Sequence, residues 1–137
     1  CEGHASIVST TGNPYGHLVL RGGSRGSNYH LEAVQAAAAE LSQAGLQDRL
    51  MVDCSHANSN KDFRRQAEVL ASVAEQLRGG SNHVMGVMIE SHLNEGNQKI
   101  TENLTYGQSI TDACMGWEDT LECLEKLNNA VNTKRGN

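Results

Sequence analysis

A chain of 137 residues, 38% hydrophobic and 20% charged with a single proline, predicts one compact ordered domain and excludes a disordered or collagen-like polymer. Eleven Lys and Arg against sixteen Asp and Glu leave a net charge of −5, opposite to the basic footprint of a nucleic-acid binder, so no nucleic acid is expected as partner. No apolar run reaches the roughly 18 residues of a membrane span, no signal peptide is evident, and four cysteines without a Cys-x-x-Cys pair point to a reducing cytoplasm, not a zinc ribbon or disulfide framework.

The chain opens on Cys1-Glu2-Gly3-His4 without methionine and reads as a piece of something longer. Ala5–Thr10 and His17–Leu20 are strand-like runs separated by turn formers from Thr11 to Gly16, which predicts a β-hairpin attached to the first strand. Leu31, Val34, Ala38 and Leu41 then recur at helical spacing, with Asn28 as a candidate cap and Gly45 as the stop. Leu50-Met51-Val52 is short enough for a buried strand. Ser59 and Asp62 resemble a capping box ahead of Phe63, Ala67, Leu70, Ala74 and Leu77, and Gly79-Gly80 ends that helix. Val84–Ile89 reads as a third buried strand, followed by a long polar loop from Ser91 to about Trp117. Leu121, Leu124, Leu127 and Val131 predict a closing helix with Lys134 and Arg135 at its negative end. Alternating strands and helices argue for parallel strands joined by right-handed crossovers, an α/β fold.

Each strand ends in a residue with polar chemistry: Arg21, His56 and Glu90. Arg21 and His56 lie 35 residues apart, His56 and Glu90 34, close to the roughly 30 residues per unit of a (β/α)8 barrel, whose ligands sit at the carboxyl ends of the strands. The long loop adds Asp112. One imidazole and two carboxylates suit Mn, Fe, Co or Zn as a divalent ion, although a lone strand-end histidine is more often structural and lone carboxylates often cap helices. Arg21, before two glycines, reads as a phosphate site or equally as the partner of a buried carboxylate. Cys54 is expected to fill core space, and His92 and the remaining histidines to be supporting or surface groups. Asn58 and Lys61 are expected to serve the loop, and Trp117 and Tyr106 to pin the Asp112 loop by packing.

The segments Leu20-Arg21-Gly22-Gly23, Asp53-Cys54-Ser55-His56-Ala57-Asn58-Ser59, Gly86–Leu93 and Tyr106–Cys114, with Glu95-Gly96-Asn97-Gln98 and Gly116-Trp117-Glu118-Asp119, resemble one family, type I 3-deoxy-D-arabino-heptulosonate-7-phosphate (DAHP) synthase. The likeness runs through nearly the whole chain, so residues 1–137 correspond to the carboxyl-terminal part of that enzyme's barrel domain, about three βα units of a (β/α)8 TIM barrel. It implies a cytoplasmic enzyme opening the shikimate pathway by condensing phosphoenolpyruvate with erythrose 4-phosphate and releasing phosphate. It further implies a divalent metal held by His56, Glu90 and Asp112 with a cysteine from an early strand, and substrate phosphate held by Arg21. The hairpin region near Ala5–Gly16 is similar to the part that builds an aromatic amino acid effector pocket. A homo-oligomer is expected, and an inactive chain when these strands stand alone with open edges. The alternative is a noncatalytic α/β module that binds a phosphorylated metabolite or an aromatic amino acid at the same strand ends.

Overall fold

Three short parallel strands, β1 (Leu18–Leu20), β2 (Leu50–Asp53) and β3 (Val84–Met88), form one sheet in the order β1-β2-β3. The structure, a computed structural model, describes residues 7–135. Helix α1 (Leu31–Gln43) connects β1 to β2, and α2 (Gln66–Arg78) connects β2 to β3 after two 3-10 turns, His56–Ser59 and Phe63–Arg65; α3 (Trp117–Arg135) closes the chain. Consecutive parallel strands need such crossovers, because a hairpin cannot bring the chain back to the same end. The α/β reading therefore holds for the described residues.

Pairing of Leu18 with Leu50 and Leu20 with Val52 on one side, and of Leu50 with Val84 and Val52 with Val87 on the other, puts the apolar residues of all three strands in register. A bulge at Met85 lets Met51 pair with Gly86 and keeps Val84 and Val87 on one face. That face joins Val34 of α1, Val69, Leu70, Val73, Ala74 and Leu77 of α2, and Cys123 and Ala130 of α3 in a single core. The other face carries Val19, Met51, Asp53, Gly86 and Met88. Val19 and Met88 on it remain exposed, so the sheet is covered by helices on one side only.

Several expected details differ. Ala5 and Ser6 lie outside the described residues, and Ile7–Thr10 is not a strand. No hairpin forms among the described residues, only a turn in which Gly16 N–H reaches Asn13 O; β1 spends its one paired edge on β2, and Ile7 and Val8 stand exposed. Asn28 does not cap α1, whose N-cap is His30, because its side-chain oxygen accepts from Gly22 N–H at 2.7 Å. The Ser59–Asp62 capping box is absent too: Ser59 ends a 3-10 turn, and Asp62 caps the next one through Arg64 N–H. On α3 Leu127 and Val131 pack against the core as expected, but Leu121 and Leu124 are exposed and the buried positions are Thr120, Cys123 and Ala130. Lys134 reaches across to the Ser81 carbonyl after α2.

Candidate functional site

Parallel pairing brings the carboxyl ends of β1, β2 and β3 to one edge, and each strand is followed within three residues by a predicted site residue. The segment after β2 is unusual. His56, Asn60 and Lys61 all have positive φ, at 50°, 54° and 59°, a conformation that costs a side-chain-bearing residue about 1–2 kcal/mol each. The strain folds the chain back so that Asn58 is buried against both neighbouring strand ends. Its amide donates to Leu20 O at 3.0 Å and Asp53 O at 2.8 Å and accepts from Asn28 N–H at 2.8 Å. Asn58 thus serves the loop as expected, and exposed Lys61 takes part in the same turn.

Glu90 is fixed by a residue the sequence did not single out. Gln66, fully buried at the start of α2, accepts from Glu90 N–H at 2.8 Å and donates to Glu90 O at 3.0 Å. Asp112 arrives from the 91–116 excursion. Bridges Ser91–Met115, Gly96–Cys114 and Asn97–Ser109 hold that excursion, with Asn94, Asn97, Gln98 and Gln108 donating side-chain amides to its backbone carbonyls. Aromatic packing does not pin it: Tyr106 is 88% exposed and Trp117 46%. The segment is held by hydrogen bonds, which side-chain amides supply and rings cannot.

With these supports in place, one ligand atom from each of His56, Glu90 and Asp112 lies within 4.8 Å of the other two. His56 Nε2 stands 3.8 Å from Glu90 Oε1, while its Nδ1 lies 2.7 Å from Asp53 Oδ2. Burial pushes the Glu90 carboxyl above its ordinary value; His56 draws it down, and the charges of Asp112 and Asp53 push it up again. His56 and Glu90 are half-buried and Asp112 is exposed; two carboxylates with an imidazole nitrogen facing them fit a divalent cation, whose charge would remove their repulsion. One nitrogen and two carboxylate oxygens suit Mn, Fe, Co or Zn, and three protein ligands leave positions for further ligands.

Arg21 is exposed, and among the described residues its guanidinium has no ion-pair partner, so it is not spent on a buried carboxylate. Its carbonyl accepts from Asn58 N–H, which ties it to the histidine loop. Cys54 is fully buried in the core and takes no part in the cluster, as expected. His92 is exposed and accepts from Leu93 N–H.

The model of the DAHP synthetase I family matches residues 1–125. The chain belongs to that family. The Trp-sensitive phospho-2-dehydro-3-deoxyheptonate aldolase of Escherichia coli strain K12 is 49% identical over 135 residues, 97% of this chain and 38% of its own length. The Phe-sensitive one of the same strain is 50% identical over 136 residues, 98% of this chain and 39% of its own length. A solved phospho-2-dehydro-3-deoxyheptonate aldolase from Francisella tularensis SCHU S4 superposes with a TM-score of 0.87 at 46% identity, covering 94% of this chain and 38% of that one. This member of the DAHP synthetase I family therefore spans about 38% of the length of the curated relatives it matches. No helix among its described residues is long and apolar enough to cross a membrane.

Proposed function

We propose that the complete protein carrying this chain is a cytoplasmic, metal-dependent DAHP synthase of the shikimate pathway, which joins phosphoenolpyruvate to erythrose 4-phosphate and releases phosphate. The reading is carried by the convergence of His56, Glu90 and Asp112, from three separate segments, within 4.8 Å at the carboxyl edge of a parallel sheet. The half-covered sheet supports a larger (β/α)8 barrel. Its uncovered face presents Val19, Met51 and Met88, side chains suited to the inner layer of a closed cylinder.

In this reading His56, Glu90 and Asp112 hold the divalent ion, which when bound supplies Lewis-acid polarisation of the aldehyde oxygen of erythrose 4-phosphate. Carbon 3 of phosphoenolpyruvate forms the new bond to the aldehyde carbon as its double bond to carbon 2 opens; water adds at carbon 2, the bond from carbon 2 to the phosphate oxygen breaks to leave a ketone, and the two protons of water end on the former aldehyde oxygen and on the departing phosphate. Arg21 holds a substrate phosphate with its guanidinium fork, fixing alignment and offsetting charge. Asn58 sets the backbone from which that guanidinium projects. An aromatic amino acid is the proposed feedback effector, a homo-oligomer the proposed assembly, and an inactive isolated chain the consequence of open sheet edges.

The test is His56→Ala and Glu90→Ala in the complete protein, with heptulosonate phosphate formation and Mn²⁺ binding both measured. Loss of turnover by about a thousandfold, with weakened Mn²⁺ binding, is expected. Metal-dependent turnover that survives either substitution would sink the assignment.

A further inference from the structure

We propose that Asp53 is a positioning residue that locks His56 in the tautomer protonated at Nδ1, leaving Nε2 bare toward Glu90 and Asp112. This rests on the reading of those three residues as a metal site. The Asp53 side chain is 1% exposed, and a carboxylate so placed is costly unless its oxygens are fully hydrogen-bonded. They are: Oδ1 accepts from Ser55 N–H at 2.8 Å and from Ser55 Oγ at 2.7 Å, and Oδ2 faces His56 Nδ1 at 2.7 Å.

The direction of each bond follows from the donors available. The Ser55 hydroxyl has one proton, and it goes to Asp53 Oδ1. Toward His56 Nδ1, 2.7 Å away, Ser55 Oγ can therefore offer only a lone pair. Both neighbours of Nδ1 are acceptors, so Nδ1 must carry the proton. Neutral imidazole has a single N–H, and Nε2 is left with an unshared pair. Glu90 Oε1, at 3.8 Å, is beyond hydrogen-bond reach, so no bond to that acceptor holds a proton on Nε2. The positive φ of His56 belongs to the same device. At 50° the backbone turns the imidazole back over the strand end it has just left, so that a residue three positions earlier can grip it. A carboxylate behind a ligating imidazole fixes both ring orientation and tautomer.

Asp53→Asn in the complete protein separates this role from simple packing. The Ser55 donors keep the amide oxygen at the Oδ1 place, which puts the amide N–H at His56 Nδ1; the ring must then accept there and carry its proton on Nε2. In metal-free protein at about pH 8, above the ordinary histidine range, ¹⁵N chemical shifts of His56 should report Nδ1–H in the wild type and Nε2–H in Asp53→Asn. Mn²⁺ affinity should fall 10- to 100-fold, the usual effect of removing such a partner. Ser55→Ala leaves Asp53 Oδ2 facing the ring and should retain the wild-type tautomer. A folded Asp53→Asn protein that keeps Nδ1–H, or one that switches tautomer yet binds Mn²⁺ as the wild type does, overturns the proposal. If Asp53→Asn fails to fold, the wild type still decides, because an Nε2–H histidine there refutes the lock. A wild type with the expected tautomer and no affinity for Mn²⁺ refutes the metal reading instead and leaves the lock standing.

Discussion

Replacing Gly22 by alanine should damage this strand end more than any other single methyl added to the 22–28 loop, and the reasons can be separated. Gly22 has φ +72°, and a Cβ built on it would sit 2.9 Å from the carbonyl carbon of Ala57, from its Cβ and from Asn58 N. The conformation alone costs an alanine about 1–2 kcal/mol. Forcing a methyl against atoms that cannot yield adds about 1–3 kcal/mol. Two of the three atoms are backbone, and Asn58 is held by its bonds to Leu20 O, Asp53 O and Asn28 N–H, so relaxation is limited and about 2–5 kcal/mol in total is expected. Two neighbours serve as controls. Gly26 has φ +106° with nothing within 4 Å of its Cβ position, so Gly26→Ala bears the conformational cost only; Gly23 has neither a positive φ nor a neighbour within that range, so Gly23→Ala should be nearly silent. Urea unfolding of the three variants in the complete protein, at unchanged m-value, reads the order Gly22 > Gly26 > Gly23. Equal losses for Gly22→Ala and Gly26→Ala would refute the claim that the β1 end is packed against the His56 turn.

Removing the Gln66 amide should cost stability and site order together, because Gln66→Ala takes away the partner of Glu90 N–H and one partner of Glu90 O. A loss of about 2 kcal/mol with weakened Mn²⁺ binding is expected from urea unfolding and calorimetric titration, and wild-type binding would show that the clamp does not set Glu90. The Cys54 thiol is pushed from an ordinary 9.0 up to about 12 by burial, with Asp53 and then Cys123 adding to it. It should therefore resist iodoacetamide in the native protein and react on denaturation, as read by peptide mass spectrometry; native labelling at the denatured rate would refute its burial. Its folded value lies above its unfolded one, so the stability it contributes is complete below about pH 9 and is lost as pH rises through about 12. Cys54→Ala should flatten that alkaline decline.

The elements that were legible in the sequence are those whose burial repeats. Leu50, Val52, Leu70, Ala74 and Leu77 recur at strand or helix spacing because one face of each element meets the same core. Failures occurred where a side chain bonds to backbone instead. Asn28 has the chemistry of a helix cap but is engaged by Gly22 N–H, and Ser59 is drawn into a 3-10 turn by a chain reversal with three positive-φ residues. Such bonds have no period, and which backbone group a polar side chain finds depends on a loop path that local pattern does not specify. The closing helix falls between: of the four positions that outlined its face, Leu127 and Val131 pack against the core, whereas Leu121 and Leu124 are exposed and Thr120, Cys123 and Ala130 are buried.

The site divides along the same line. His56, Glu90 and Asp112 could be picked out because each follows a strand or sits in a long loop, and because they lie in segments that resemble one family. Asp53 and Gln66 could not. An aspartate after Leu50-Met51-Val52 reads as the first residue of a loop, and a glutamine near a helix start reads as solvated; burial reverses both meanings. A retrospective signal exists only for Asp53, which stands three residues before a histidine across a turn. Buried polar side chains weaken a core unless every bond is made, and local rules break where function demands a particular geometry. Asp53, Asn58 and Gln66 are all buried, and the hydrogen bonds formed by each run to the ends of the strands and the turns beside them. That concentration at the carboxyl edge of the sheet is a second physical reason, beside the convergence of His56, Glu90 and Asp112, to look for the chemistry there.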